Sequence, residues 1–244
     1  MAAPSALRQP PVKTWTVADL HRKFGPIPFE RIRQNPPPGR GTVADVERIH
    51  DHENRLYELV DGILLEKTMG YEESCIAMNL GRLIGNFVIP QALGLVAGPD
   101  GTIQLDLDLV RIPDVSFISW DRLPSGEFPS KAIPLIVPDL AVEVISQGNT
   151  AREMNDKLRE YFEKGVRLVW FVRPKLRVVD VYTRSDQFTR LTASMTLDGG
   201  DVLPGFSVTV GDLFALPKRP ADAGGKGKKK DEPRPGKSNG RRKR

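Results

Sequence analysis

Two carboxylates stand where a strand would normally avoid charge. The stretch RIPDVSFISW, residues 111–120, has the pattern of an apolar strand, yet Pro113 and Asp114 lie at its start, and strands disfavour both residue types. The stretch DLAVEVIS, residues 139–146, is an apolar strand with Glu143 at its centre, and a buried carboxylate there is costly without a partner. Each has a simple explanation, a turn at Asp114 and an ion pair or a solvent-facing strand end at Glu143. Together they could form a metal site.

A lysine on the helix predicted after residue 150 could reach the same place. Four apolar residues recur at helical spacing and form the core stripe of this helix: Met154, Leu158, Tyr161 and Phe162. Lys157 lies on the flank of that stripe, where a lysine either extends to solvent or points at Glu143 on the preceding strand. The other charged residues of the helix are predicted to form most of its solvent face: Arg152, Glu153, Asp156, Arg159 and Glu160.

This set of residues has a definite chemistry. Two carboxylates supply hard oxygen ligands for Mg²⁺ or Mn²⁺, which keep several waters and take a substrate phosphate as a further ligand. Such a metal lowers the pKa of its bound water and neutralises charge on the phosphorus-centred transition state. Lys157 could orient the attacking water or stabilise the phosphate, and the sequence does not distinguish these roles. The pattern indicates metal-dependent hydrolysis of a phosphodiester.

The elements that would position these residues form one α/β body with a mixed sheet. Two N-terminal helices begin after Thr16 and Thr42, each with an aspartate three residues later. The stretch LYELVDGILLEK predicts a hairpin that turns at Asp61-Gly62. A helix over 73–88 follows, then short strands. The predicted strands are 95–97, 102–105, 112–119 and the stretches DLAVEVIS, VRLVWFV, RVVDVYT and QFTRL, with a last strand and a helical turn in DVLPGFSVTVGDLFA.

Composition sets limits on the function. The single cysteine, Cys75, excludes an intramolecular disulfide and a cysteine-cluster zinc site. No run approaches 18 apolar residues and the N-terminus lacks a signal-peptide core, so we expect a cytoplasmic protein without a membrane partner. Residues 218–244 carry 12 Lys/Arg and 3 Asp/Glu, whereas the remaining body has a net charge of −4. This tail is expected to be disordered, either as a solubilising segment or as a loose contact to phosphates.

The order of these motifs resembles the Uma-two family of endonucleases, in the restriction-endonuclease-like PD-(D/E)XK superfamily. The resemblance rests on Pro113-Asp114, on ExxS from Glu143, on the lysine in the next helix, and on YELVDG, PDLAVEVIS, REYFEKGVRLVWFV, VVDVYT and VLPGFSV. It covers about residues 56–214. It implies an α/β (α+β) fold, a restriction-endonuclease-like core with a mixed β-sheet flanked by helices. It also implies Asp114 and Glu143 as metal ligands and Lys157 as the catalytic lysine.

The sequence departs from the family pattern at two positions, and these departures bear on the choice of candidate site residues. The superfamily lysine usually lies two residues after the glutamate, where this chain has Ile145; in this family it looks displaced onto the next helix, which fits Lys157. Members also often carry a histidine at the start of the helix after the hairpin, where this chain has Glu73. Glu73, and Glu58 in the hairpin, are candidate auxiliary carboxylates. The alternative for both is a solvated surface carboxylate.

By this resemblance the expected protein is a Mg²⁺-dependent (or Mn²⁺-dependent) endonuclease acting on nucleic acid, with DNA preferred. The expected organisation is an N-terminal helical extension over 1–55, a nuclease domain over 56–216 and the basic tail over 217–244. Phosphate contacts would come from the tail or from Arg111, Arg152 and Lys157, and a homodimer is a candidate assembly. The rival hypothesis is an inactive module on the same fold that binds nucleic acid or a partner and keeps the carboxylates as structural ion pairs. A third hypothesis is hydrolysis of another phosphodiester.

Overall fold

A computed structural model describes residues 14–123 and 126–215, and the predicted basic tail lies outside these residues. The helices are α1 (Val17–Phe24), α2 (Val43–Glu53), α3 (Tyr71–Val88), α4 (Ala151–Glu163) and the turn α5 (Val210–Leu213). The strands are β1 (Tyr57–Val60), β2 (Ile63–Glu66), β3 (Gly94–Ala97), β4 (Ile103–Asp106), β5 (Leu109–Arg111), β6 (Val115–Ser119), β7 (Leu140–Val144), β8 (Leu168–Arg173), β9 (Val178–Arg184), β10 (Gln187–Thr192), β11 (Thr196–Gly199) and β12 (Leu203–Thr209).

The strands of the described residues form three sheets. Four antiparallel strands are ordered β2-β1-β5-β4, and six strands are ordered β10-β9-β8-β7-β6-β3. Within the six-stranded sheet β7 and β8 run parallel, because α4 connects them, and the other neighbours are antiparallel. The strands β11 and β12 form a separate pair, of which β11 was not predicted. The expected α+β class with a mixed sheet and flanking helices is confirmed.

The two N-terminal helices begin as their sequences predict. Thr16 accepts from the Asp19 backbone N–H while the Asp19 side chain accepts from the Thr16 N–H, and Thr42 and Asp45 repeat this capping box at α2. Helix α1 packs its apolar side on the hairpin β1–β2, through Leu20 and other residues. The hairpin turns where expected, with positive φ at both turn residues. The N-terminal segment therefore covers the four-stranded sheet.

The predicted strand over 112–119 begins later than expected. It corresponds to β6, which starts at Val115, whereas β5, which ends at Arg111, was not predicted. The three residues between them carry the chain from the four-stranded sheet to the six-stranded sheet. Pro113 has no backbone N–H to donate and its ring fixes φ, so it suits this crossing better than a strand interior. Asp114 consequently stands at the junction of the two sheets.

Strand β7 separates two apolar clusters. Leu140, Val142 and Val144 contact the cluster that includes α3, whereas Ala141 contacts the cluster that includes α4. The alternation predicted for this strand is confirmed, since residues two apart share a face. Glu143 therefore points to the α4 side. No helix among the described residues is both long and apolar enough to cross a membrane.

Candidate active site

Asp114 is fixed beside the middle of β7. Its backbone N–H donates to the Val142 carbonyl at 2.9 Å, and its Oδ2 accepts from the Val144 N–H at 2.6 Å. Glu143 is the residue between these two partners. Both acidic residues are buried, at 4% exposure for Asp114 and 5% for Glu143. The structure thus brings together the two carboxylates that the sequence singled out.

Lys157 reaches the two sheets from α4. Its Nζ donates to Glu58 Oε1 at 3.0 Å and lies 3.2 Å from Glu143 Oε1. The Tyr161 hydroxyl, one turn along α4, donates to the same Glu143 oxygen at 2.6 Å. Lys157 is buried, so it does not extend to solvent. It links a carboxylate of the four-stranded sheet to one of the six-stranded sheet.

Glu58 is held by three donors. Besides Lys157, the Arg111 guanidinium donates to its Oε2 at 2.7 Å and the Ile112 N–H donates to its Oε1 at 3.1 Å. Arg111 is itself buried and also pairs with Glu160. The structure therefore places Glu58 in one cluster with Asp114, Glu143 and Lys157. Arg111 is engaged by carboxylates, which does not favour the phosphate contact expected of it.

A second lysine, Lys67, neutralises Asp114. Its Nζ lies 2.8 Å from Asp114 Oδ1 and donates to the carbonyls of Ile112 at 2.6 Å and Pro99 at 3.1 Å. Three oxygen acceptors thus surround one ammonium group, which carries three donors. Sequence reasoning missed this residue. The predicted hairpin could have indicated it. Leu65 is the cross-strand partner of Glu58, and Lys67, two residues further on, lies on the same face of the hairpin as both.

The predicted solvent position of Glu153 is wrong. Glu153 is 2% exposed and its carboxylate receives two hydrogen bonds from the Arg31 guanidinium, at 2.9 and 3.3 Å. Arg31 also donates to the carbonyls of Glu66 and Gly148. Both members of the pair line a small cavity that Asp114, Glu143 and Lys157 also line. Helical spacing could not reveal this, because the partner lies in a turn far upstream in the chain.

The electrostatic balance of the cluster differs from one residue to the next. Burial opposes ionisation of Glu58, but the charges of Lys157 and Arg111 outweigh it and lower its pKa to about 2. Burial raises the pKa of Glu143 to about 7, because Lys157 only partly opposes it and Asp114 and Glu58 add to it. Burial acts to lower the pKa of Lys157, yet Glu143 and Glu58 outweigh it and raise that pKa above its ordinary value. The acidic neighbours thus favour the charged form of Lys157, whereas burial disfavours the charged form of Glu143.

The residues present fit a metal that takes few protein ligands. A cavity of about 20 Å³ is lined by Asp114, Glu143 and Lys157 together with Glu58 and Lys67, and such a volume holds about one water or ion. Among the described residues no three His, Cys, Asp or Glu side chains form a ready-made metal cluster. Two carboxylates suffice for Mg²⁺, which completes its shell with water and substrate oxygens.

Glu73 lies apart from this cavity. It stands in the first turn of α3 and is not among the residues that line the cavity. Its side chain instead lies against Gly70, where an added Cβ would meet Glu73 Oε2 at 2.2 Å. Its suggested contact to a metal stays a prediction, whereas Glu58 is physically within the cluster.

Comparison with solved structures shows the fold. A crystal structure described as a "putative nuclease belonging to DUF820", from Anabaena variabilis, matches with a TM-score of 0.59 and 21% sequence identity. The match covers 66% of this chain and 90% of that one. At this identity the similarity shows a common fold. A search of curated proteins found no match.

A family comparison identifies the chain more closely. The model of the Uma2 family, described as "Putative restriction endonuclease", matches residues 43–211, which is more than half of the 244 residues. The matched region contains β1, the crossing at Asp114, β7 and α4, and therefore the carboxylates and Lys157. It is also the family that the order of motifs suggested. The chain belongs to the Uma2 family of restriction-endonuclease-like proteins.

Proposed function

We propose that this protein is a Mg²⁺-dependent or Mn²⁺-dependent endonuclease that hydrolyses phosphodiester bonds in nucleic acid, with DNA as the expected substrate. The observation that carries the proposal is the placement of Asp114 next to Glu143. Two hydrogen bonds, one to the Val142 carbonyl and one from the Val144 N–H, hold Asp114 beside Glu143. Membership of the family supports a nucleic-acid substrate.

Asp114 and Glu143 would hold the metal through their carboxylate oxygens. When bound, Mg²⁺ would supply an activated water and neutralise charge on the phosphorus-centred transition state. Tyr161 donates to Glu143 Oε1, which orients that carboxylate. Because the pKa of Glu143 is raised, ligand formation requires loss of its proton, and metal binding should strengthen as the pH rises.

Lys157 would act as a fixed positive charge. Its acidic neighbours outweigh burial and raise its pKa, which favours the charged form over the neutral form that a general base needs. It can stabilise negative charge on a phosphoryl group, as positioned cations do in phosphoryl transfer. Glu58 keeps this lysine beside Glu143, and Arg111 keeps Glu58 in place. We assign Glu58 a positioning role.

The rival function is a non-catalytic binding module. The observation that favours it is that Asp114 and Glu143 each have a lysine partner, Lys67 and Lys157 respectively. Such pairs can be wholly structural. In that case divalent metal would change neither the stability of the protein nor its binding of nucleic acid.

Cleavage assays test the proposal. Supercoiled plasmid, single-stranded DNA and RNA are incubated with the full chain in Mg²⁺, Mn²⁺ or EDTA. Beside it runs Asp114→Asn, whose amide oxygen can still accept from Val144. We expect metal-dependent cleavage of DNA by the wild type and loss of at least about a hundredfold in the variant. Folded wild type that cuts no substrate, or Asp114→Asn that cuts equally well, would refute the proposal.

A further inference from the structure

A shallow basic hollow lies between α1 and the start of α4. Its volume is about 590 Å³, and its lining includes the exposed side chains of His21, Arg22 and Arg152. None of the described residues that line it is acidic. This is notable because the body of the chain carries a net charge of −4. An anionic polymer would therefore meet attraction locally rather than over the whole surface.

Hydrogen bonds between the two helices fix the shape of the hollow. The Thr150 hydroxyl donates to the Phe24 carbonyl, and the Arg152 guanidinium donates to the Arg22 carbonyl. Gly25 closes α1 with a φ of +75°, and a Cβ there would lie 3.0 Å from Thr150 Oγ1. A side chain at position 25 would therefore strain the backbone and press on the floor of the hollow. The Arg152 guanidinium is therefore held in place by the contact between the two helices.

The hollow adjoins the candidate active site. Thr150 lines the hollow, and its neighbour Asn149 lines the cavity of the candidate active site. Arg31 also lines that cavity, and it donates to the Gly148 carbonyl at 3.2 Å. A nucleic-acid backbone that enters the cavity over residues 148–150 would continue to Arg152 and Arg22.

The charge on Arg22 is available to an anionic ligand. Its partner Asp19 lies one turn earlier at 3.0 Å, and the arginine side chain is 72% exposed. Exposed pairs of this kind contribute little, so a phosphate can replace the carboxylate or share the guanidinium. A guanidinium also offers a fork of donors that matches phosphate oxygens.

We propose that this hollow binds the phosphate backbone of the nucleic-acid substrate beside the cleavage site, through Arg22, Arg152 and His21. The inference rests on the proposed nuclease function. It also gives a role to α1, which precedes the region matched by the family, residues 43–211. The part of the chain upstream of that region thus supplies affinity for the substrate.

Two matched pairs of variants test this role. Arg22→Gln and Arg152→Gln remove charge from the hollow. Arg48→Gln is the control for Arg22, because Arg48 forms the same pair with Asp45 on α2. Arg159→Gln is the control for Arg152, since it removes an exposed arginine from the same helix. Affinity of each full-length variant for a labelled DNA duplex is measured by fluorescence anisotropy in EDTA, which prevents cleavage, over a range of salt concentrations.

We expect each hollow variant to bind about threefold to tenfold more weakly at low salt, and its slope of log K against log salt to fall by about 0.9 per lost phosphate contact. Both controls should bind like the wild type. Equal loss in the controls, no loss in the hollow variants, or no DNA binding by the wild type would each overturn the proposal. Failure of the nuclease proposal is distinguishable, since it appears as absent cleavage while the arginine-dependent binding persists.

Discussion

Asp114 Oδ2 accepts a hydrogen bond of 2.6 Å from the backbone N–H of Val144. The contact joins the residue at the crossing between two sheets to the strand that carries Glu143. A metal site made of two carboxylates needs their relative position to be set in advance. Here two main-chain hydrogen bonds, with Val142 and Val144, set the position of Asp114. A lysine lies beside each carboxylate, Lys67 at Asp114 and Lys157 at Glu143.

Removing the central lysine should destabilise the metal-free protein. Lys157→Met leaves Glu58 and Glu143 without their shared cation in a buried site, and breaking such a pair costs about 3–5 kcal/mol. The free energy of unfolding from urea titration measures this loss. Lys164→Met, which removes a more exposed pair with Asp106 at the end of the same helix, should cost much less. Equal losses in the two variants would contradict a central role for Lys157.

Lys67 should oppose metal binding. Its ammonium group occupies Asp114 Oδ1, so Lys67→Met removes a competing positive charge but leaves two carbonyls without their donor. We expect a lower melting temperature without metal and a larger increase in melting temperature when Mn²⁺ is added. Lys175→Met, at an exposed position, should change neither quantity. A metal-induced increase that is unchanged or smaller in Lys67→Met would show that this lysine does not compete.

The pair between Arg31 and Glu153 should couple the N-terminal segment to α4. A double-mutant cycle with Arg31→Met and Glu153→Gln is expected to give a coupling energy of about 1–3 kcal/mol, because both side chains are buried. Arg33 and Glu53 form a similar two-pronged pair only two positions away along the chain from Arg31, but that pair is more exposed. The same cycle there should give a smaller value. A larger coupling in the exposed pair would contradict the expectation.

The positions of Glu143 and Lys157 could be predicted from the sequence, because they follow from the regular spacing of residues in a strand and in a helix. Because successive side chains of a strand alternate between its two faces, Glu143 is predicted on the face opposite Val142. Helical spacing places Lys157 on the flank of the apolar stripe of α4, from which it can reach Glu143. Both predictions are confirmed as positions, since the two groups lie 3.2 Å apart. Their catalytic roles stay predictions.

Contacts between distant segments could not be predicted in the same way. Glu153 looked like a solvent residue because its helical position says nothing of Arg31, which lies 122 residues upstream. The start of β6 is predicted three residues too early, and β5 is not predicted, because the sequence around Pro113 does not show that the chain changes sheet there. Local periodicity reports which side of an element is apolar, and it does not report which element covers that side.

Acid should also lower the stability of the protein through Asp180 in β9, which does not line the cavity between Asp114 and Glu143. Burial opposes ionisation of Asp180, but hydrogen bonds from Arg190 and Arg173 outweigh it and lower its pKa below the ordinary value of an aspartate. The unfolded state then binds the proton more tightly, so the contribution of Asp180 is present above about pH 4 and is lost as the pH falls through the folded pKa. Asp180→Asn should unfold more readily than the wild type near neutral pH, with a difference that shrinks in acid. A constant difference across the pH range would contradict this sign.

Calorimetric titration of Mn²⁺ into the full chain tests the central claim most directly. The wild type is compared with Asp114→Asn and Glu143→Gln, and with Glu163→Gln as an exposed control on α4. If Asp114 and Glu143 jointly hold the metal, the wild type and the control bind it and both site variants lose binding by at least about tenfold. Binding of equal strength in all four proteins would show that the two carboxylates are not the metal site.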